Sequence, residues 1–447
     1  MDISLPYSRD KRYLTGIDWA VNVLHAITKQ AVGHGNSSQI ILCLDEQLDP
    51  VELRELLGRV FSRHPVLTGR VRRDWNLCPF WSMGTAQVDD PPLTVGAEVA
   101  GWEDAFGALQ HHVNQPFASP ENHLHFHLVP DATGGSYLGM RFDHRLLDAA
   151  GAEAFLELID LAHTGRDAEA ASKISLVEGA HLDNWSRRFI GGKGVNRLQL
   201  RLSREEVASF PPPMLSPSVP TRFELITLSN EEKDKLSRRA FTESRAPLLL
   251  PSMVASLVGS LHRLAKNRRS IGGHYVIPVS VVDRTPAQKW EKLFFNHISF
   301  IIFQVAPEVA GDRERLVTTL RDQLYEQMKN GLPDDLYHAS MLTRIVPLDL
   351  LRCMARIPMR GKVGTSYFAC LRESAYERST FMGRTVANLI HTPHVPPPPG
   401  VGVFLNGYGD RMNLVLSHLE GIFAPGEART LIADIRRQLL DETDENL

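Results

Sequence analysis

The chain of 447 residues carries one pair of side chains whose types and spacing suit chemistry, His144 and Asp148. They lie in Met140-Arg141-Phe142-Asp143-His144-Arg145-Leu146-Leu147-Asp148-Ala149-Ala150-Gly151. Imidazole exchanges its proton near neutral pH, so a histidine held in a cleft can act as general base on a hydroxyl, amine or thiol. An aspartate at the start of the following helix suits N-capping and pairing with an arginine, which would fix the loop that holds the histidine. The same pair also describes a hydrogen-bonded core histidine beside an ordinary N-cap. With 18 histidines in the chain, a match to H-x-x-x-D is expected about once by chance. A second match, His163 with Asp167, falls in a polar loop after a helix, and that context sets it aside.

The elements around the pair are legible. Leu124, Phe126 and Leu128 alternate with His123, His125 and His127, and Leu138, Met140 and Phe142 alternate on the returning side. Asp131-Ala132-Thr133-Gly134-Gly135 supplies the turn of this hairpin. The alternation aims His144 toward the buried side at the strand's end. Ala152, Phe155, Leu156 and Ile159 then form a helical stripe. Upstream, Ile40 to Leu44 reads as a strand. Asp49-Pro50 opens an amphipathic helix whose apolar positions are Leu53, Leu56, Leu57, Val60 and Phe61, and His64-Pro65 ends it. A Pro/Ser-rich stretch over 201–220 reads as a linker. Beyond it come a strand at Phe223–Thr227, a helix capped by Ser229 and an apolar helix over 252–265. Strands follow at 275–282, 297–305, 364–370, 401–406 and 412–418, and 426–440 closes as a helix. The fold class is therefore α/β (α+β). The expected division is 1–175, a crossover linker over 176–220, and 221–447.

Composition excludes several classes. Lys plus Arg is 49 and Asp plus Glu is 52, giving a formal charge of -3. No general field for gripping nucleic acid follows from that balance. Hydrophobic residues are 43% and charged residues 23%, an ordinary globular balance that disfavours disorder. Cys43, Cys78, Cys353 and Cys370 form no C-x-x-C pair and read as reduced, mostly buried thiols. The start, Met1-Asp2-Ile3-Ser4-Leu5-Pro6, has no secretory pattern, and no apolar run is long enough to span a bilayer. The expectation is a cytoplasmic monomer without a transmembrane segment. His123, His125 and His127 share a strand face, with His111 and His112 nearby, but no ligand spacing is convincing. They read as solvated histidines and no metal site is expected. No G-x-S-x-G elbow or phosphate loop is present.

The segment around His144 resembles the active-site motif of the chloramphenicol acetyltransferase-like superfamily. That group includes condensation domains, plant BAHD acyltransferases and wax ester synthases. Phe142-Asp143-His144-Arg145 with Asp148 is also similar to the cores of dihydrolipoamide acyltransferases, whose chain layout differs. His64-Pro65-Val66-Leu67 resembles the "HPxL" turn of the group. Pro278-Val279-Ser280-Val281-Val282-Asp283-Arg284 resembles its second-lobe strand, and Asn296-His297 its "G-N" segment. Gly402 to Asn406 with Leu414 to Ser417 resembles its C-terminal hairpin. Three positions depart from the pattern. Asp143 stands where many relatives have a second histidine, Ala149 where a glycine usually follows the aspartate, and Phe295 replaces the glycine of "G-N".

The resemblance implies two similar lobes, each a mixed sheet packed with helices, with a tunnel between them. It implies an acyltransferase that moves an acyl group from a thioester to a hydroxyl or amine acceptor, in lipid or natural-product biosynthesis. The donor would be acyl-CoA or a phosphopantetheinyl acyl or peptidyl carrier protein, with no permanently bound cofactor. The acceptor would be a small-molecule or lipid alcohol or amine. His144 would be the general base and Asp148 structural, paired with Arg284. Thr365 and Ser366, and secondarily Asn296, are the candidates for stabilising the oxyanion. A carrier-binding module without chemistry and a thioester hydrolase are the alternatives.

Overall fold

The computed structural model describes residues 11–84, 90–176, 185–210, 216, 219–244, 248–270, 272–356 and 360–441. The first half runs β1 (Lys11–Tyr13), α1 (Gly16–Val32), β2 (Ser37–Leu44), α2 (Pro50–Arg63), β3 (Arg70–Arg73), β4 (Pro79–Ser82), β5 (Leu93–Val95), α3 (Trp102–Val113), β6 (Leu124–Pro130), β7 (Ser136–Asp143), α4 (Ala149–His163), α5 (Ala168–Lys173) and α6 (Trp185–Leu202). The second runs β8 (Thr221–Leu228), α7 (Asn230–Ser244), α8 (Leu249–Asn267), β9 (Tyr275–Val282), β10 (Ile298–Val305), α9 (Pro307–Ala310), α10 (Arg313–Lys329), α11 (Leu332–Thr343), α12 (Leu348–Arg356), β11 (Tyr367–Leu371), β12 (Thr380–Phe381), β13 (Arg384–Pro393), β14 (Val401–Tyr408), β15 (Arg411–Leu419) and α13 (Glu427–Leu440).

Two six-stranded sheets form the frame, ordered β12-β13-β2-β7-β6-β5 and β10-β9-β11-β14-β15-β8. The fold is mixed α/β with two helix-packed sheets. The β6–β7 hairpin pairs in the register Leu124↔Phe142 and Phe126↔Met140. Leu138, Met140 and Phe142 are fully buried against α2 and α4. The opposite face of β7 is buried as well: a Cβ at Gly139 would lie 2.5 Å from Leu109 of α3. A sheet covered on both faces loses its apolar/polar alternation, which is why Arg141 and Asp143 are buried too.

The sequence boundaries and the sheet membership differ. Residues 380–393 fall within the expected second lobe, yet β13 pairs with β2 of the first sheet from Val386↔Leu44 to Pro393↔Ser38. The span expected as linker contains α6, and Pro211–Pro213 and Pro217 lie outside the described residues. Asparagines of β14 and β15 tie the second sheet to β13 of the first. Asn406 Nδ2 and Asn413 Nδ2 both donate to Leu389 O, at 2.7 and 2.8 Å. These bonds give the buried Leu389 carbonyl two side-chain donors from the second sheet.

Capping follows the sequence closely. Asp49 accepts from Val51 N at the head of α2, with Pro50 at the first helical position. Ser229 and Glu232 exchange a capping box at the head of α7. The four cysteines are free. Cys78 is buried, Cys43 and Cys370 are half-buried residues whose thiols burial pushes up to about 12, and Cys353 is exposed. No single helix among the described residues is long and apolar enough to cross a membrane.

Candidate active site

β7 ends at Asp143, so a turn rather than the strand pleat aims His144. The turn is held from both sides. His144 N donates to Asn36 O at 3.2 Å, and Leu146 N and Leu147 N reach back to Asp143 O. The ring is half-buried and points to the second half of the chain. There, Asn296 Oδ1 lies 3.1 Å from His144 Nδ1, and Asn296 Nδ2 donates to His144 O at 2.9 Å. The second bond fixes which end of the carboxamide faces the ring. Oδ1 only accepts, so Nδ1 carries the hydrogen of the neutral ring and Nε2 keeps the lone pair.

Asn296 is itself held by a residue that sequence patterning did not single out. Its N–H donates to Asp18 Oδ1 at 3.0 Å, across 278 positions of chain. Asp18 is buried and also accepts from Arg12 Nη1 at 2.9 Å and from Thr15, with which it forms the capping box of α1. The Thr15-x-x-Asp18 spacing could have announced the cap. Nothing local could have announced the reach to Asn296.

Asp148 does both jobs the sequence assigned it. It caps α4, accepting from Gly151 N at 2.8 Å, and it pairs with Arg284, which reaches it from the end of β9. His297 N adds a third donor at 2.9 Å. Burial alone would raise the carboxyl, but the Arg284 charge and these N–H groups outweigh it and hold it below the usual carboxylate range. Arg284 and Asp148 are both nearly inaccessible, so the pair is a buried clasp between the halves of the chain.

The three departures from the resembled pattern have physical explanations. Gly151, not residue 149, is where backbones crowd: a Cβ there would meet Leu293 O at 2.4 Å. Ala149 is the half-buried first residue of α4. Phe295 sits in the left-handed region at φ 73°, with its N–H on Leu146 O at 2.6 Å and its fully buried ring under the Arg12 guanidinium. Backbone strain of about 1 kcal/mol is thus offset by ring burial and a cation–π contact. Asp143 is a buried carboxylate that accepts from Arg145 Nε and Nη2, from Arg145 N, and from His123 Nδ1 at 3.0 Å. Burial opposes its ionisation, yet the Arg145 charge and the other donors hold it well below the usual range.

The candidates for oxyanion stabilisation are engaged elsewhere. Thr365 Oγ1 donates to Ala208 O at 2.8 Å and accepts from Val276 N. Ser366 Oγ donates to Tyr367 O at 3.0 Å. Both are fully buried at the head of β11. Asn296 spends its carboxamide on His144. The structure brings together His144, Asn296, Asp148 and Arg284, and it leaves Thr365 and Ser366 in the second sheet.

The histidine row is not solvated as expected. His123 is buried, with Nδ1 on Asp143 and Nε2 on Gly69 O. His112, in the last turn of α3, is buried with Nδ1 on Gln39 Oε1 and Nε2 on His125 Nδ1, each at 2.8 Å. The faces of β6 and β7 that carry these rings are roofed by α3, which the hairpin pattern could not reveal. Among the described residues no group of three or more His, Cys, Asp or Glu is arranged to hold a metal ion. Three arginines near helix ends are held in ion pairs: Arg268 with Glu427, Arg436 with Glu232 and Arg437 with Asp434.

No family model and no curated protein matches the chain. Solved structures do. The first condensation domain of the calcium-dependent antibiotic synthetase, in complex with a substrate analogue, superposes with a TM-score of 0.64 at 17% identity, covering 97% of each chain. A trichothecene 15-O-acetyltransferase from Fusarium sporotrichioides gives 0.67 at 13% identity, over 96% of this chain and 95% of its own. The condensation domain of the monacolin K polyketide synthase gives 0.61 at 12%, over 96% and 97%. The chain therefore shares the fold of these condensation domains and of this acetyltransferase.

Proposed function

We propose that the chain is an acyltransferase that forms an ester or amide from an acyl thioester, with His144 as general base. One observation carries the reading: Asn296 occupies Nδ1 and leaves Nε2 without a partner among the described residues. Nε2 takes the proton of the acceptor hydroxyl or amine as its oxygen or nitrogen attacks the thioester carbonyl. The tetrahedral intermediate then expels the thiolate, which takes that proton back from the imidazolium. Asn296 and the Asp148–Arg284 clasp are positioning residues. The donor is coenzyme A or a carrier protein bearing a pantetheine arm. The fold supports this reading, since condensation domains and an acetyltransferase share it.

The test is transfer of a labelled acyl group from acyl-CoA and from an acylated carrier to a panel of alcohols and amines. His144→Ala is expected to fold normally and lose transfer. Equal rates for the variant and the parent would remove His144 from the reaction. Release of free acid without an acceptor would instead mark a thioester hydrolase.

A further inference from the structure

The turn that presents His144 also forms a wall of a cavity of about 310 Å³. His144 N bonds Asn36 O, while its neighbours Gly35 and Arg145 line the cavity, together with His25, Lys29, Phe117 and His123. Two features set this cavity apart from an ordinary surface cleft.

The first is charge. No lining residue carries a carboxylate. Asp143, beside the lining Arg145, is fully buried and engaged by Arg145 and His123. Arg70, which also borders the cavity, is paired with Glu121. Lys29 is exposed at the last turn of α1, and among the described residues its ammonium has no carboxylate partner. The second feature is orientation. Asp143 grips one edge of the Arg145 guanidinium through Nε at 2.9 Å and Nη2 at 2.6 Å. Among the described residues Nη1 has no hydrogen-bond partner. A guanidinium locked on one edge by a buried anion presents its other donors in a fixed direction, which suits a planar or tetrahedral oxyacid. Asp143, the departure from the second histidine of the resembled motif, thereby acquires a purpose: it positions Arg145.

We propose that this cavity receives an anionic oxyacid group, a carboxylate or a phosphate, borne by a substrate whose reacting end reaches His144, with Arg145 Nη1 and the Lys29 ammonium as its donors. The site deepens the acyltransferase reading by naming a charged group on one substrate. It rests on that reading for the reaction, but not for the binding.

The experiment is calorimetric titration of the full chain with 4′-phosphopantetheine, neutral pantetheine and N-acetylglycine, on the parent, Lys29→Glu and Lys29→Arg. Lys29 is exposed and has no ion-pair partner among the described residues, so both variants are expected to keep the parent's melting temperature. At least one anionic probe is expected to bind the parent, to weaken about tenfold in Lys29→Glu and to recover in Lys29→Arg. Pantetheine is expected to show no dependence on residue 29. Dependence confined to 4′-phosphopantetheine identifies a phosphate on the thioester donor, and dependence confined to N-acetylglycine identifies a carboxylate on the acceptor. If neither anion binds at saturating concentration, or both bind parent and Lys29→Glu equally, the anion site is overturned. Because the readout is binding, that result leaves His144-dependent transfer standing, and loss of transfer with binding intact leaves the anion site standing.

Discussion

Asn296 Oδ1 faces His144 Nδ1 at 3.1 Å while the other end of the same carboxamide donates to the His144 backbone carbonyl at 2.9 Å. One side chain therefore sets both the ring's tilt and which nitrogen holds its hydrogen. Asn296→Ala frees both. Under the proposed reaction, kcat is expected to fall about tenfold to a hundredfold with KM little changed, as for loss of an orienting partner of a general base. Asn296→Asp places an anion beside Nδ1 and removes the donor to the carbonyl. A kcat of the parent's size in Asn296→Ala would show that the ring needs no such partner.

Asp148 and Arg284 are the second relationship to break. Arg284 Nε and Nη1 find no hydrogen-bond partner, so Asp148 is its only compensation among the described groups. Removing the carboxylate strands a buried cation. Asp148→Ala or Asp148→Asn is expected to cost about 3–5 kcal/mol in urea unfolding, and to slow transfer by loosening the His144 turn. An unchanged unfolding midpoint would mean that the pair contributes nothing to stability.

The reach of the sequence follows the range of each interaction. α2, the β6–β7 hairpin, α4 and the Asp148 cap were legible because each is written in contiguous residues. The Asp148–Arg284 pair was legible only through resemblance, since 136 positions separate its partners. β13 was missed because its buried run, Leu389 to Thr392, mixes Leu, Ile, His and Thr without alternation. α1, whose Asp18 anchors Asn296, was missed although its cap is locally encoded. The roles of Asn296 and Asp143 depend on which side chains the fold brings against them, and no spacing rule reports that.

Gly151 and Phe295 give opposite readings of backbone restraint. A Cβ at Gly151 would strike Leu293 O at 2.4 Å, so Gly151→Ala must push α4 from the segment that carries Asn296. Reduced stability and reduced transfer are expected together. Ala149→Gly relieves nothing and is expected to cost at most about 1 kcal/mol through helix propensity, with activity retained. Phe295→Gly removes about 1 kcal/mol of left-handed strain, yet it deletes a fully buried aromatic ring worth about 3–5 kcal/mol, so it is expected to destabilise. A Phe295→Gly chain more stable than the parent in urea would show that the ring packs poorly.

Acid should unfold the chain earlier than its carboxylates alone would dictate. His112 is buried, with Nδ1 donating to Gln39 Oε1 and Nε2 accepting from His125. A second proton on His112 would set Nε2–H against His125 Nδ1–H, beside the Arg141 guanidinium. Burial, followed by the Arg141 charge and the neighbouring histidines, holds His112 well below its ordinary value. Burial likewise lowers His25 to about 4 and His125 to about 4. In the unfolded chain all three take up protons near the ordinary histidine value of about 6.5. The unfolded state therefore binds more protons between about 6.5 and 4, and the folded state loses stability as pH falls through that window. Above it the contribution is fully present. The unfolding free energy is expected to drop from pH 7 to 5, by up to about 1.4 kcal/mol per pH unit for His112 alone, and the melting temperature to fall with it. His112→Gln should flatten that slope, and an identical slope in parent and variant would show that this ring does not govern the acid response.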